Sequence, residues 1–228
     1  MSVRAAVVVA AGGAGRRMGG VRKQYLELAG EPLLLHALRP FLAQRFVEWV
    51  VVALPADDPE PPVWLAGLDA RIRTVPGGVE RGDSVRAGLD AVPEEADVVL
   101  VHDAARPLVG PTVIERAVEA AATGVGAVVA VPVADTLKVV ADGVITETAD
   151  RTRLWQAQTP QAFPRAMIVD AYRRAAADGV VATDDAALVE HYGGRVVVVE
   201  GERSNLKITT EADVVVAEAL MREQERRG

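Results

Sequence analysis

The chain has 228 residues, half of them hydrophobic, which is enough for one sizeable α/β core. Its formal net charge of −7 argues against a general nucleic-acid binder, although an acidic total is compatible with a local basic pocket for a nucleotide. The lack of cysteine excludes disulfides, thiolate metal sites and a cysteine nucleophile, and the three histidines are too widely spaced to favour a zinc site. No apolar stretch is long enough to span a bilayer, so we expect a cytoplasmic protein that binds neither membranes nor nucleic acid.

The predicted strands are short apolar runs that alternate with helical patterns. They lack polar/apolar alternation, which is typical of strands covered on both faces in a mainly parallel sheet. The runs are Ala5–Ala10, Glu48–Ala53, Ile72–Val75, Val98–His102, Ala127–Val131 and Arg195–Val199.

Helix signals lie between these runs. Pro40 should bend or end a helix that begins near Leu33. Thr112 and Glu115 have the spacing of a capping box, which predicts that a helix is capped at Thr112. The stretch 210–213 has the same spacing and should open the last helix.

A hairpin interrupts the alternation of strands and helices. The dipeptide Asp142-Gly143 lies between two β-branched runs and favours a tight turn. We therefore expect a β-arm at about residues 133–156 that projects from the main sheet. An isolated hairpin is marginally stable, so the arm should pack on something, such as a second subunit. With no internal repeat or flexible linker, the prediction is a single domain over residues 1–228 with this arm as an insertion.

The first strand runs into a glycine-rich segment that ends at Gly20. Glycines after a strand let the backbone approach a ligand closely, and successive N–H groups there can cradle phosphate oxygens. Arg17 and Lys23 add the positive charge that a triphosphate demands. The segment is neither a Walker A loop, since no GK[ST] follows, nor a GxGxxG loop, since Met18 breaks that spacing. Taken alone, it is equally compatible with a flexible turn that carries solvated basic residues.

A second candidate is the string VHDAARP at residues 101–107. Asp103 comes at the carboxyl end of an apolar strand, where open α/β sheets bind ligands. Its carboxylate can hold Mg²⁺, and Arg106 offers a planar fork to an anion. The competing interpretation is that Asp103 caps a turn and pairs with Arg106.

The remaining polar segments have ordinary structural explanations beside functional ones. Residues 77–85 combine two glycines that permit recognition of a base with Ser84, a residue suited to a cap or a ligand contact, but a structural turn is at least as well supported. Residues 135–138 and 150–161 are more typical of surface loops. Residues 183–185 favour a helix N-cap over a metal site.

In chain order, these segments resemble the 2-C-methyl-D-erythritol 4-phosphate cytidylyltransferases of the non-mevalonate isoprenoid pathway. VHDAARP is the most specific motif, and it occurs with Asp135-Thr136-Leu137-Lys138, TPQ at 159–161 and NLKIT at 205–209. The resemblance extends from one end of the chain to the other. It implies an α/β, Rossmann-like nucleotidyltransferase fold: a mainly parallel twisted sheet with helices on both faces. It also implies a homodimer whose β-arms embrace.

The resemblance assigns roles to particular residues. The CTP-binding positions would be Ala10, Ala11, Gly12, Gly13, Gly15, Gly78, Ser84, Asp103 and Ala104, with Asp103 as the Mg²⁺ ligand. The catalytic charges would be Arg17, Lys23, Arg151 and Lys207. The acceptor side would comprise Arg106, Thr136, Arg151, Thr159 and Lys207, with Thr136 and Arg151 supplied by the partner's arm. The family usually has proline before the lysine of the glycine-rich segment, whereas this chain has Arg22, which can share the role of Lys23.

The implied reaction transfers CMP from CTP to the phosphate of 2-C-methyl-D-erythritol 4-phosphate by in-line attack on the α-phosphorus, with pyrophosphate leaving. Such a step needs positioning and charge stabilisation and no protein nucleophile. One alternative is a cytidylyltransferase for ribitol 5-phosphate or another pentitol phosphate, which the doubled alanine at 104–105 disfavours. Another is a non-catalytic nucleotide-binding protein, against which Arg151, Thr159 and Lys207 argue, because a pure binder needs no acceptor side.

Overall fold

The structure is a computed structural model that describes residues 3–12 and 25–227. In this part of the chain the strands are β1 (Ala5–Ala10), β2 (Glu27–Leu28), β3 (Glu31–Pro32), β4 (Val47–Leu54), β5 (Ile72–Pro76), β6 (Val98–Asp103), β7 (Gly126–Pro132), β8 (Lys138–Ala141), β9 (Val144–Thr148), β10 (Trp155–Pro164) and β11 (Val196–Glu200). The helices are α1 (Leu33–Leu42), α2 (Val63–Ala66), α3 (Arg81–Asp90), α4 (Pro111–Ala122), α5 (Arg165–Asp178), α6 (Asp185–His191) and α7 (Glu211–Arg227).

The main sheet has seven strands in the order β11-β7-β10-β6-β1-β4-β5. Every neighbouring pair is parallel except the two pairs that β10 makes with β6 and β7. The chain leaves β1 toward β4 on one side and later returns to β6 on the other, so the order reverses beside β1. Ligands of open α/β sheets bind at the carboxyl ends of the strands at such a reversal.

Alternate residues of β1 point to opposite faces of the sheet and enter separate cores. Val7 and Val9 pack with the apolar faces of α1 and α4. Ala6 and Val8 pack with α3, α5 and α6 on the opposite face. Both faces of the sheet are covered by helices, so the buried parallel strands β1 and β4 read as near-continuous apolar runs, and the predicted doubly covered, mainly parallel sheet is confirmed.

The six predicted strands are all present, and no end differs by more than one residue. The assignment of residues 150–161 to a surface loop is wrong from Trp155 onward, because this stretch belongs to β10. Its glutamines and prolines interrupt any apolar run, yet Gln158 and Gln161 are buried and hydrogen-bonded. A buried strand whose polar groups find partners leaves no hydrophobic signature.

Two expectations about helix ends are corrected. Pro40 does not end α1, which continues to Leu42. Proline removes one i→i−4 hydrogen bond here, but the packing of Leu34, Leu38 and Phe41 in the core holds the helix. The capping box at Thr112 is wrong, since α4 begins one residue earlier, with Pro111 in its first turn and no side-chain cap. At α7 the expected box is present: Thr210 N–H donates to the Asp213 carboxylate at 2.8 Å, and the Asp213 N–H faces Thr210 Oγ1 at 3.4 Å.

The predicted hairpin is formed by β8 and β9, which pair as a separate two-stranded sheet. Asp142 and Gly143 have φ values of 50° and 78°, as a tight turn with two left-handed residues requires. Both strands are exposed along their whole length.

Gly88 marks the closest approach between α3 and the sheet. A Cβ at this position would lie 2.4 Å from Val8 Cγ1, whereas a Cβ at Gly82 in the same helix would meet no atom within 4 Å.

We expect Gly88→Ala to lower the free energy of unfolding by about 1–3 kcal/mol, because the added methyl group overpacks the helix–sheet interface. The matched control Gly82→Ala should change it by less than about 1 kcal/mol. Urea unfolding of both variants checks the prediction, and equal stabilities would contradict it.

Candidate active site

Three segments meet at the carboxyl ends of β1 and β6. Ala10 is the ladder partner of Asp103, and the Ala104 N–H donates to the Ala10 carbonyl at 3.2 Å. A Cβ on Gly12 would lie only 2.8 Å from Ser84 Oγ, so the start of the glycine-rich segment touches the start of α3. The described CTP-binding candidates are therefore neighbours: Ala10, Ala11, Gly12, Gly78, Ser84, Asp103 and Ala104.

Ser84 shapes the turn between β5 and α3. Its hydroxyl accepts from the Gly78 N–H at 3.1 Å and donates to the Glu80 carbonyl at 3.3 Å. A Cβ on Gly77 would approach the same hydroxyl to 2.7 Å. Close backbone approach thus requires glycine here. The structural role of Ser84 is observed, whereas its contact with the nucleotide stays a prediction.

Asp103 is 7% exposed and each of its carboxylate oxygens contacts a cation. Arg81 Nε donates to Oδ1 at 2.8 Å, and Lys207 Nζ donates to Oδ2 at 2.7 Å. Burial alone would raise the pKa of Asp103, but the charges of Arg81 and Lys207 outweigh it and hold the pKa well below its usual range. The carboxylate is therefore ionised near neutral pH.

The expected pairing of Asp103 with Arg106 is wrong for the side chains. The Arg106 guanidinium donates to the main-chain oxygens of Asn205 at 2.8 Å and Ala157 at 3.3 Å. Arg106 is only 8% exposed, and burial lowers its pKa. These contacts of Arg106 connect the end of β6 to β10 and to the segment before α7, so Arg106 has a structural role. The assignment of Arg106 to the acceptor side stays a prediction.

Thr159 supports the main chain of Asp103 from the neighbouring strand β10. Its hydroxyl accepts from the Asp103 N–H at 3.1 Å and lies 3.0 Å from His102 Nδ1. His102 Nε2 faces the Arg106 carbonyl at 2.9 Å and must donate to it, so Nδ1 is the acceptor of the Thr159 hydrogen. Burial lowers the pKa of His102 to about 4, which agrees with this neutral form.

Arg81 is a site residue that the sequence analysis missed. Besides binding Asp103, its guanidinium donates to both oxygens of the fully buried Asp185, at 3.1 and 2.8 Å. Tyr172 also donates its hydroxyl to Asp185, at 2.6 Å. A signal was available, because Arg81 lies one helical turn before Val85 and two before Leu89, on the buried face of α3.

The segment at residues 183–185 forms a helix N-cap, as predicted. Asp184 caps α6 by accepting from the Ala187 N–H at 2.9 Å, and its other oxygen accepts from Gln161 at 2.9 Å. Gln161 in turn accepts from the Ala186 N–H at 2.9 Å. The start of α6 is therefore fixed against β10, and Asp185 is fixed with it.

The remaining predicted site residues lie elsewhere. Thr136 and Arg151 are exposed on the arm and its base, and within residues 3–12 and 25–227 neither is hydrogen-bonded to the Asp103 group. Gly13, Gly15, Arg17 and Lys23 lie outside the described residues, as does Arg22.

Over the described ranges, no group of three or more histidine, cysteine, aspartate or glutamate residues is arranged to hold a metal ion. Among those same residues, none of the helices is both long and apolar enough to cross a bilayer.

Fold and site together define a class: a mainly parallel sheet with a glycine turn at residues 77–78 and a buried carboxylate beside its reversal point is the arrangement of a Rossmann-like, nucleotide-binding α/β protein. The family model described as 2-C-methyl-D-erythritol 4-phosphate cytidylyltransferase matches residues 5–223, and the chain belongs to this family. Relatives of that name include proteins of Symbiobacterium thermophilum (46% identical; 99% of this chain, 96% of the relative) and Syntrophus aciditrophicus (41%; 100% of both). The crystal structure of the Thermus thermophilus enzyme of the same name covers 97% of this chain and 100% of its own, with 36% identity and a TM-score of 0.82.

We expect Thr159→Val to lower the free energy of unfolding by about 1–3 kcal/mol, because it leaves the buried Asp103 N–H without its acceptor. Turnover should fall as well, since the end of β6 loses a fixed point. Thr159→Ser keeps the hydroxyl and should retain most of the stability and turnover. Urea unfolding and steady-state rates of the two variants check this; a valine variant as stable and active as the serine variant would disprove the role.

Proposed function

We propose that this chain transfers CMP from CTP to 2-C-methyl-D-erythritol 4-phosphate and releases pyrophosphate, giving 4-diphosphocytidyl-2-C-methyl-D-erythritol for isoprenoid precursor synthesis. The observation that carries the proposal is the meeting of Gly12 and the glycine turn at residues 77–78 with Asp103 and Lys207 at one sheet edge. Family membership supplies the identity of the two substrates.

In the reaction, an oxygen of the acceptor phosphate forms a bond to the α-phosphorus of CTP. The bond between that phosphorus and the oxygen bridging to the β-phosphate breaks, and the electron pair leaves with pyrophosphate. The attacking phosphate is already an anion near neutral pH, so the protein needs no strong base. Its task is to align two polyanions and to offset their repulsion.

The main chain of residues 10–12 and 77–78, with Ala104, is the proposed CTP cradle. Lys207 has a side chain that is 44% exposed, so its ammonium group can reach from Asp103 toward a phosphate. Arg17 and Lys23 would add charge at the triphosphate, with Gly13 and Gly15 extending the cradle. Arg151 and Thr136 would bind the acceptor phosphate.

Asp103 is the residue proposed to hold Mg²⁺. The chemistry of the donor set fits, because Mg²⁺ is commonly bound by one or two carboxylates together with substrate phosphates and waters, and needs no protein cage. Arg81 occupies Oδ1, which leaves Oδ2 as the oxygen available to a cation once Lys207 turns away. When bound, the ion would neutralise charge on the phosphate oxygens.

We propose that the arm makes a homodimer. Several large apolar side chains on it are exposed: Leu137, Val139, Val140, Val144, Ile145 and Trp155. A hairpin of this kind is marginal by itself and gains stability by packing. The whole chain would then be one catalytic domain with the arm as its dimerisation insertion, working in the cytoplasm, because its two phosphorylated substrates do not cross apolar bilayers unaided.

Pyrophosphate release with CTP and Mg²⁺ tests the function, with 2-C-methyl-D-erythritol 4-phosphate and ribitol 5-phosphate supplied in parallel. We expect fast release with the first acceptor and little with the second, and loss of release when EDTA removes the metal. A preference for ribitol 5-phosphate would move the chain to the pentitol reaction. Tight CTP binding with no release from either acceptor would favour a non-catalytic protein.

Complementation between two inactive variants tests the shared site. Arg151→Ala removes the arm's contribution, and Lys207→Ala removes the charge beside Asp103. In a mixed dimer, one site combines an intact core with an intact arm, so we expect partial recovery of turnover. Each variant alone serves as the control, and verified heterodimers without recovery would refute a site built from two subunits.

A further inference from the structure

Arg81 uses its three guanidinium nitrogens to join two carboxylates that lie on different elements. Nε binds Asp103 at the end of β6, while the two terminal nitrogens bind both oxygens of Asp185 at the start of α6. The planar fork of arginine suits this task, because both carboxylates are bound in fixed directions at once. A lysine has a single ammonium group and cannot reproduce the arrangement.

Asp185 acts only from within the protein. It is fully buried, so it cannot touch a substrate, and a carboxylate in such a place requires paired charge and hydrogen bonds. Arg81 and Tyr172 supply them. Asp185 is fixed at the start of α6, so its ion pair with Arg81 holds the guanidinium group on the side opposite Asp103.

The two cations on Asp103 therefore differ in kind. Lys207 makes a single contact at 2.7 Å and its side chain is 44% exposed, so another anion can reach its ammonium group and take the place of Asp103. Arg81 is anchored by a bidentate ion pair and stays in place. The oxygen bound by Lys207 can be released to a ligand, whereas the oxygen bound by Arg81 cannot.

We propose that Arg81, anchored by Asp185 and Tyr172, is a positioning residue: it holds Oδ1 of Asp103 so that Oδ2 is presented to the metal–nucleotide complex. The inference rests on the proposed function, which makes Asp103 the metal ligand. Residues that orient a metal ligand from behind typically change metal affinity by about 10–100-fold when they are substituted.

The test compares CTP binding with and without Mg²⁺, measured by calorimetry in the absence of acceptor so that no turnover occurs. Arg81→Lys should weaken CTP binding about tenfold or more in Mg²⁺ and change it little in EDTA. Tyr172→Phe removes a single buried oxygen from the anchor and should give a smaller loss of about threefold with the same dependence on Mg²⁺.

Tyr192→Phe is the matched control. Tyr192 also donates its hydroxyl to an aspartate, Asp178 at 2.9 Å, but on the exposed outer side of α5 and α6. This variant should bind CTP like the wild type under both conditions. Thermal unfolding of all three variants separates loss of stability from loss of positioning.

Four outcomes would overturn the inference. If Arg81 contacts the triphosphate directly, Arg81→Lys will weaken binding equally in Mg²⁺ and in EDTA. If the anchor is only structural, Tyr172→Phe will lower the unfolding temperature and leave both affinities unchanged. If Mg²⁺ does not strengthen CTP binding to the wild type, the metal assignment itself falls; normal Mg²⁺ dependence in the wild type and in both variants removes only the role of Arg81.

Discussion

A carboxylate buried at the end of a central strand is the constraint around which this site is organised. Asp103 is stable there only because cations reach it from two directions, and one of them, Arg81, requires a buried carboxylate of its own. Arg81, Lys207, Asp103 and Asp185 form a cluster of two positive and two negative charges, so burial carries no net charge into the core. A bound triphosphate would add several negative charges to this neutral cluster, and further cations would be needed to offset them.

The antiparallel strand β10 connects this cluster to the rest of the molecule. Thr159 of this strand accepts a hydrogen bond from the main chain of Asp103. Gln161 of the same strand fixes the start of α6, whose first residue is Asp185. Asn205 donates to the Thr159 carbonyl at 2.9 Å, so the segment that carries Lys207 is bound to the same strand. A strand with polar side chains in a central position thus links three elements that each contribute a charge to the site.

The parts of this structure that depend on local pattern could be predicted from the sequence, and the parts that depend on distant partners could not. Apolar runs located six strands within one residue, and Asp142-Gly143 located the hairpin turn. The spacing of Asp103 and Arg106 suggested a local pair, but the acidic side chain found Lys207, 104 residues away. The sequence did not indicate a buried ion pair at Asp185, because its partner Arg81 is also 104 residues away. Motif resemblance identified the segments around the site, yet it assigned no role to Arg81.

Under the proposed function, an anchored cation beside an exchangeable one would explain how an acidic chain binds polyanions. A net charge of −7 opposes the approach of a triphosphate, so attraction must come from cations concentrated at one sheet edge. Without ligand, the positive charge of Lys207 is paired with Asp103, so a cation is held at the site without an uncompensated charge. On the proposed function, a phosphate that binds Lys207 would leave Oδ2 of Asp103 without its present partner, and that oxygen would then be available to the metal–nucleotide complex. Arg81 would keep its hold on Oδ1 during that exchange, so binding of the nucleotide would itself free the oxygen that the accompanying cation needs.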